Sequence, residues 1–168
     1  MDRTEITAEL HRVESDFRQL VCNATRADLR RRSAGTHWTN RQLLFHLVFG
    51  YLIIRTLLPL VHILGRLGRS RRFATTLDAA GRPFHLINYI GSVGAGQLVP
   101  TRVMTALMTR TLRALQWRLA AESDQDLELS MHFPASWDPY FAETMTVLDV
   151  YHYGTLHYIH HRGQLTLR

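Results

Sequence analysis

With 168 residues, 46% of them apolar and 20% charged, the chain has the balance of one globular domain able to bury a core. Its single cysteine, Cys22, excludes an internal disulfide and a cysteine-based zinc site, so a cytoplasmic protein is expected and any metal must be held by imidazole or carboxylate. All 20 basic residues are arginine; the net charge of +6 gathers at "RADLRRR" and "GRLGRSRR", but without interleaved aromatics in the first run or a nucleic-acid motif, no nucleic-acid partner is expected.

The polar start "MDRTEITAEL" predicts no signal peptide. From about Thr4 to Asn23, Ile6, Leu10, Val13, Phe17, Leu20 and Val21 recur at helical spacing and predict an amphipathic helix. Cys22, near its end, is expected as a small buried residue. A second helix opens at "WTNRQLL", where Thr39 and Gln42 have the spacing of a capping box, and is expected to reach about Leu64 with a kink at Pro59. Its core, "LLFHLVFGYLIIRTLLPLVHIL", has the length of a membrane span but carries His46, Arg55, Pro59 and His62. A central arginine costs about 2.5 to 3.5 kcal/mol on insertion, so a helix buried in protein is expected and no membrane partner. His46 shares a wheel face with Gln42, Leu43, Phe49, Gly50, Ile53 and Leu57, opposite Arg41 and Arg55, and should point into the core.

The region Gly65–Pro100 reads as irregular and holds six of the ten glycines. It lacks a P-loop ending, and its length predicts a lid or binding loop. A third helix is predicted from about Thr101 to Ala121, with Val103, Met104, Leu107, Met108, Leu112 and Leu115 on its apolar face. A linker broken by Pro134 and Pro139 follows, with a short extended piece at "LELSMHF". The fourth helix opens at "TVLD", a second capping box of Thr146 and Asp149, and should run to the end. The expected fold is all-α: a single four-helix-bundle domain over residues 1–168, without strands between the helices.

On the fourth helix Val150, Tyr153, Gly154, His157, His161 and Gln164 share one face. Histidines four apart stand one above the other, where their nitrogens can converge on a cation. Among ten histidines such a pair also arises by chance, as ordinary buried or surface residues. His46 adds a further imidazole on the buried face of a different helix, where a neutral ring needs a partner and a charged one is costly. A shared divalent metal would satisfy His46, His157 and His161 together and is compatible with zinc, nickel or iron. His160 lies about 100° round the helix from His161 and is expected beside the ligands or packed as a polar group. Tyr153 and Gln164 could orient a ligand or pack in the core. Arg162, or arginines of Gly65–Arg72, could bind carboxylate or phosphate. His152 faces away from the pair, and His11, His37, His62, His85 and His132 are expected to be structural.

"GTHWTNRQLLFHLVFG" followed much later by "TVLDVYHYGTLHYIHHRGQL" resembles the DinB-like superfamily, which includes YfiT-type thiol transferases. The matching positions are Trp38, Thr39 and His46, then His157, His161, Arg162, Gly163 and Gln164, and the likeness spans nearly the whole chain. It implies an up-down-down-up bundle with Gly65–Pro100 as the crossover between helices two and three. It also implies a divalent metal on His46, His157 and His161, and a homodimer. Characterised relatives use bacillithiol- or mycothiol-like low-molecular-weight thiols, so the implied activity is metal-dependent transfer of such a thiol to an electrophilic small molecule. Position 157 is histidine where the mycothiol-dependent isomerase branch has glutamate, and Gly163 stands where the sulfoxide synthases of ergothioneine biosynthesis have glutamate. No further C-terminal domain is expected after Gln164. A non-catalytic metal-binding homodimer of stress or structural type, and a natural-product tailoring enzyme that uses no thiol, are the other readings.

Overall fold

The computed structural model describes residues 1–68, 91, 93–134 and 138–167. In chain order these form α1 (Arg3–Asn23), α2 (Arg26–Arg30), α3 (Asn40–Leu67), α4 (Thr101–Ala121), α5 (Asp124–Leu127), β1 (Ser130–His132), β2 (Thr144–Thr146) and α6 (Val147–Arg162). The protein is mostly helical, and an apolar stripe from each long helix meets in one core.

The helix starts follow local chemistry. Thr39 caps α3: the Gln42 backbone N–H donates to Thr39 Oγ1 and the Thr39 N–H donates to Gln42 Oε1, the reciprocal bonds expected of that pair. Thr146 and Asp149 make the same box at α6, and Asp2 and Glu5 at α1. α3 continues through Pro59 to Leu67, three residues beyond the expected end, and closes on Gly68 in the left-handed region at φ 61°. Among the described residues α3 alone is long and apolar enough to cross a membrane. Its residues 42–48 are all buried, so burial within the protein accounts for the apolar character of that end, while Arg55, Thr56 and Pro59 are exposed.

Side-chain contacts fix how the long helices run. Arg41 Nε donates to the Gly96 carbonyl before α4, and His62 Nε2 meets Glu122 Oε1 at 3.0 Å just past its end, so α3 and α4 point the same way. The contacts His11 to Gln116 and Glu14 to Arg113 set α1 against α4 in opposite directions. Glu9 to His152 and Asp16 to Arg162 make α1 and α6 parallel. α6 runs antiparallel to α3, and at Gly154 the two come so close that a Cβ would lie 2.6 Å from Ile54 Cδ1 and 2.9 Å from Tyr51 Cε1.

Several expectations need correction. A two-stranded antiparallel ribbon joins α5 to α6, pairing Met131 with Met145; β1 is the expected extended piece, and β2 was not anticipated. Gly65–Pro100 is not irregular throughout, because α3 extends into it and residues 93–98 are helical. The greater part of the expected lid and crossover, with Arg69, Arg71, Arg72 and His85, lies outside the described residues. α6 stops at Arg162 instead of running to the end: Thr166 turns back to Asn40, donating its N–H to Oδ1 at 3.0 Å, and the Ala34 N–H donates to the Gln164 carbonyl. Val103 is exposed, and Thr111 and Leu119 join the buried face of α4 in its place. Cys22 is exposed, not buried.

Candidate metal centre

The antiparallel packing of α3 on α6 brings His46 opposite His157 and His161. His46 and His161 approach to 3.2 Å between their Nε2 atoms. The three ring centroids lie 4.6 to 5.1 Å apart. One nitrogen from each ring can be chosen so that all lie within 4.8 Å of one another, a group that could hold a metal ion. His46 and His157 are buried and His161 is half-buried. Four-residue spacing stacks the α6 pair, and Gly50, one turn along α3 from His46, leaves room for the His157 ring. A Cβ there would lie 3.1 Å from His157 Cδ2 and 3.2 Å from Nε2.

The ring orientations are set from outside. His161 Nδ1 lies 2.8 Å from Gln164 Oε1, and Gln164 is itself held by the tail that returns to Ala34. Burial, reinforced by the neighbouring His157, pushes His161 down to about 4, against a smaller opposing effect of the Gln164 bond. It is therefore neutral at pH 7. His157 Nδ1 lies 3.2 Å from Asp138 Oδ2, which also accepts from the Tyr153 hydroxyl at 3.0 Å. Burial works to raise the Asp138 carboxyl, but bonds from His157, the Tyr140 N–H and Tyr153 hold it below the usual carboxylate range. Burial and Asp138 push the Tyr153 phenol up, keeping it a donor. Trp38 covers His46, ring centroids 4.6 Å apart.

The residues fit a cation. His157 Nε2 is buried and has no hydrogen-bond partner among the described residues. Such an atom is costly unless something binds it. Tetrahedral coordination at zinc–nitrogen lengths needs ligand nitrogens about 3.3 Å apart, and His46 and His161 already stand at 3.2 Å. An all-imidazole set is compatible with zinc, nickel or iron.

The other candidates divide. Tyr153 donates to Asp138 and its hydroxyl also lies 3.5 Å from His157 Nδ1, while Gln164 touches the site through His161. His160 is exposed at its edge, 3.1 Å from the Tyr140 hydroxyl and 3.5 Å from Gln164 Nε2. Arg162 turns away onto α1, where its Nε and Nη2 donate to Asp16 at 2.7 and 2.9 Å. Of the Gly65–Arg72 arginines, Arg66 pairs with Asp126 at 2.6 Å. His62 is buried against Glu122, and His152 faces Glu9, both away from the centre. Asp138 was missed by sequence reasoning. Its signal was slight, a carboxylate before Pro139 in what reads as linker.

A family model described as the DinB superfamily matches residues 9–165. Neither the curated proteins nor the solved structures gave a match.

Proposed function

The chain belongs to the DinB superfamily, and from that premise we propose that it is a divalent-metal-dependent enzyme transferring a low-molecular-weight thiol to an electrophilic small molecule. The observation that carries this reading is the convergence of His46, His157 and His161, with the buried His157 Nε2 unpartnered among the described residues. These imidazoles would hold the ion. When bound, a divalent ion supplies positive charge that favours the thiolate over the thiol near neutral pH. In the transfer the thiol gives its proton to water, a sulfur–carbon bond forms, and the electrophile's leaving group departs with its electron pair.

The chain's own residues prepare that step. Burial keeps His161 neutral, so a ring lone pair is available rather than protonated. Gln164 fixes the rotation of that ring, and Trp38 shields one side of His46 from water. His160 and Tyr140 offer polar groups at the exposed edge, where a thiol's polar body could rest. Arg162 is engaged by Asp16, so anionic groups of a substrate would have to be met elsewhere. The proposal extends to an up-down-down-up four-helix bundle, which the helix directions support. A homodimer in the cytoplasm is proposed on the family likeness and the single cysteine.

The test is an adduct assay. Zinc- or nickel-loaded protein is mixed with bacillithiol- or mycothiol-like thiols and a panel of alkyl electrophiles, and the adduct is followed by mass. Acceleration over solution that disappears in His46→Ala and on chelation is expected. A protein that binds one ion per chain yet accelerates no thiol transfer would leave the thiol-free tailoring enzyme or the non-catalytic metal protein in its place.

A further inference from the structure

The geometry points to Asp138 as a positioning residue: we propose that it fixes His157 as the Nδ1–H tautomer and so turns the Nε2 lone pair toward His46 and His161. The inference rests on the metal-centre reading for its consequence, but the tautomer itself can be observed without any metal.

An ionised carboxylate only accepts hydrogen bonds, so a ring nitrogen facing it must carry the proton. Asp138 Oδ2 lies 3.2 Å from His157 Nδ1, and a neutral imidazole protonated there has its lone pair on Nε2. That Nε2 is buried and has no hydrogen-bond partner among the described residues, with the bare Gly50 alongside. The opposite tautomer would set two acceptors face to face at Nδ1 and strand an N–H at Nε2. Asp138 is itself immobilised. Tyr153 donates to Oδ2 at 3.0 Å and the Tyr140 N–H donates to Oδ1 at 2.9 Å, so both oxygens are engaged. Phe141, packed 4.4 Å from the Tyr153 ring and 5.2 Å from Phe133, anchors the same loop on the ribbon and α6. The contrast with His161 is chemical. Its Nδ1 meets the amide of Gln164, which can rotate to present either oxygen or NH₂ and so does not dictate a tautomer. A carboxylate cannot make that exchange.

The experiment records histidine ring nitrogen shifts by long-range proton–nitrogen NMR at neutral pH, on the metal-free full chain and on Asp138→Asn, Asp138→Glu and Tyr153→Phe. Zinc affinity is measured on the same samples by chelator competition, and circular dichroism checks folding. The expected wild-type His157 has protonated Nδ1 and bare Nε2. Asp138→Asn mixes or inverts the tautomers and weakens zinc binding roughly 10- to 100-fold with the helix content retained. Asp138→Glu recovers part of both, and Tyr153→Phe keeps the tautomer, because the carboxylate remains. A wild-type His157 protonated on Nε2, or an Asp138→Asn protein with unchanged tautomer and unchanged zinc affinity, would overturn the positioning role while leaving the metal centre standing. A wild type with the expected tautomer that takes up no zinc would uphold the positioning role and overturn the metal centre instead.

Discussion

A side chain at position 50 would collide with the third imidazole of the centre: its Cβ would sit 3.1 Å from His157 Cδ2 and 3.2 Å from Nε2. Gly50→Val should therefore push the His157 ring out of the cluster. Zinc affinity is expected to fall at least tenfold, with a stability loss of about 1 to 3 kcal/mol from overpacking. Chelator competition and thermal melting check both parts, and an unaltered zinc titration would contradict the crowding. At this scale the sequence was informative wherever a residue's direction followed from helical period. His46 and the 157/161 pair could be placed that way, and so could the divergence of His160. Arg162 was expected as a binder of carboxylate or phosphate; one position beyond His161, it is instead held by Asp16 on α1. Asp138 was not legible, because a loop rather than a helix carries it to His157 across 19 positions.

At the scale of elements, the starts of the long helices α3 and α6 were readable from the side chains that cap them, while the short capped helices α2 and α5 were not expected. Thr39 and Thr146 begin α3 and α6 as their spacing predicts. Thr39→Ala removes the acceptor for the Gln42 N–H and is expected to cost about 1 kcal/mol. In a domain of this size that lowers the melting temperature by roughly 2 to 4 °C. A melt superimposed on the wild type would show that the cap does not stabilise the helix carrying His46. Of the ends without a side-chain cap, Asn23, Thr101 and Ala121 fall where expected, whereas α3 runs past its expected end and α6 stops short of the last residues. Glycine misled between α3 and α4: Gly96 reads as a loop residue, yet it lies in the helical stretch 93–98, and a Cβ there would lie 2.8 Å from the Gln42 Cα. It permits close approach to α3 rather than irregular backbone. β1 falls within the extended piece expected at "LELSMHF", whereas β2, three residues long, is too short for alternation to declare it.

Across the whole molecule, α1 is tied to α6 by one buried-edge cluster. Asp16 accepts from Arg162 and from the Tyr158 hydroxyl, which is 2.7 Å from Oδ2. Burial tends to raise this carboxyl, but the Arg162 and Tyr158 bonds and the Arg162 charge outweigh it and hold it below 3.8. A depressed folded-state value contributes stability that is present above the unfolded value and lost as pH falls through the folded one. Asp16→Asn should thus melt below the wild type at pH 7, and the gap should close as pH drops below 3.8. A gap constant from pH 7 to pH 3 would show that the pair adds nothing to holding α1 on α6. The mostly helical character and the family were legible from patterns spread along the chain. The directions of the helices depended on contacts between residues far apart, such as His62 with Glu122, which no local pattern declares.

The central claim is that three imidazoles from two helices form a metal site. It is tested most directly by elemental analysis of the purified protein beside its His46→Ala and His161→Ala variants, each checked for retained helix. The expected result is one transition metal per chain in the wild type and none in either variant. A folded wild type that contains no metal and takes up neither zinc nor nickel when they are supplied would contradict it.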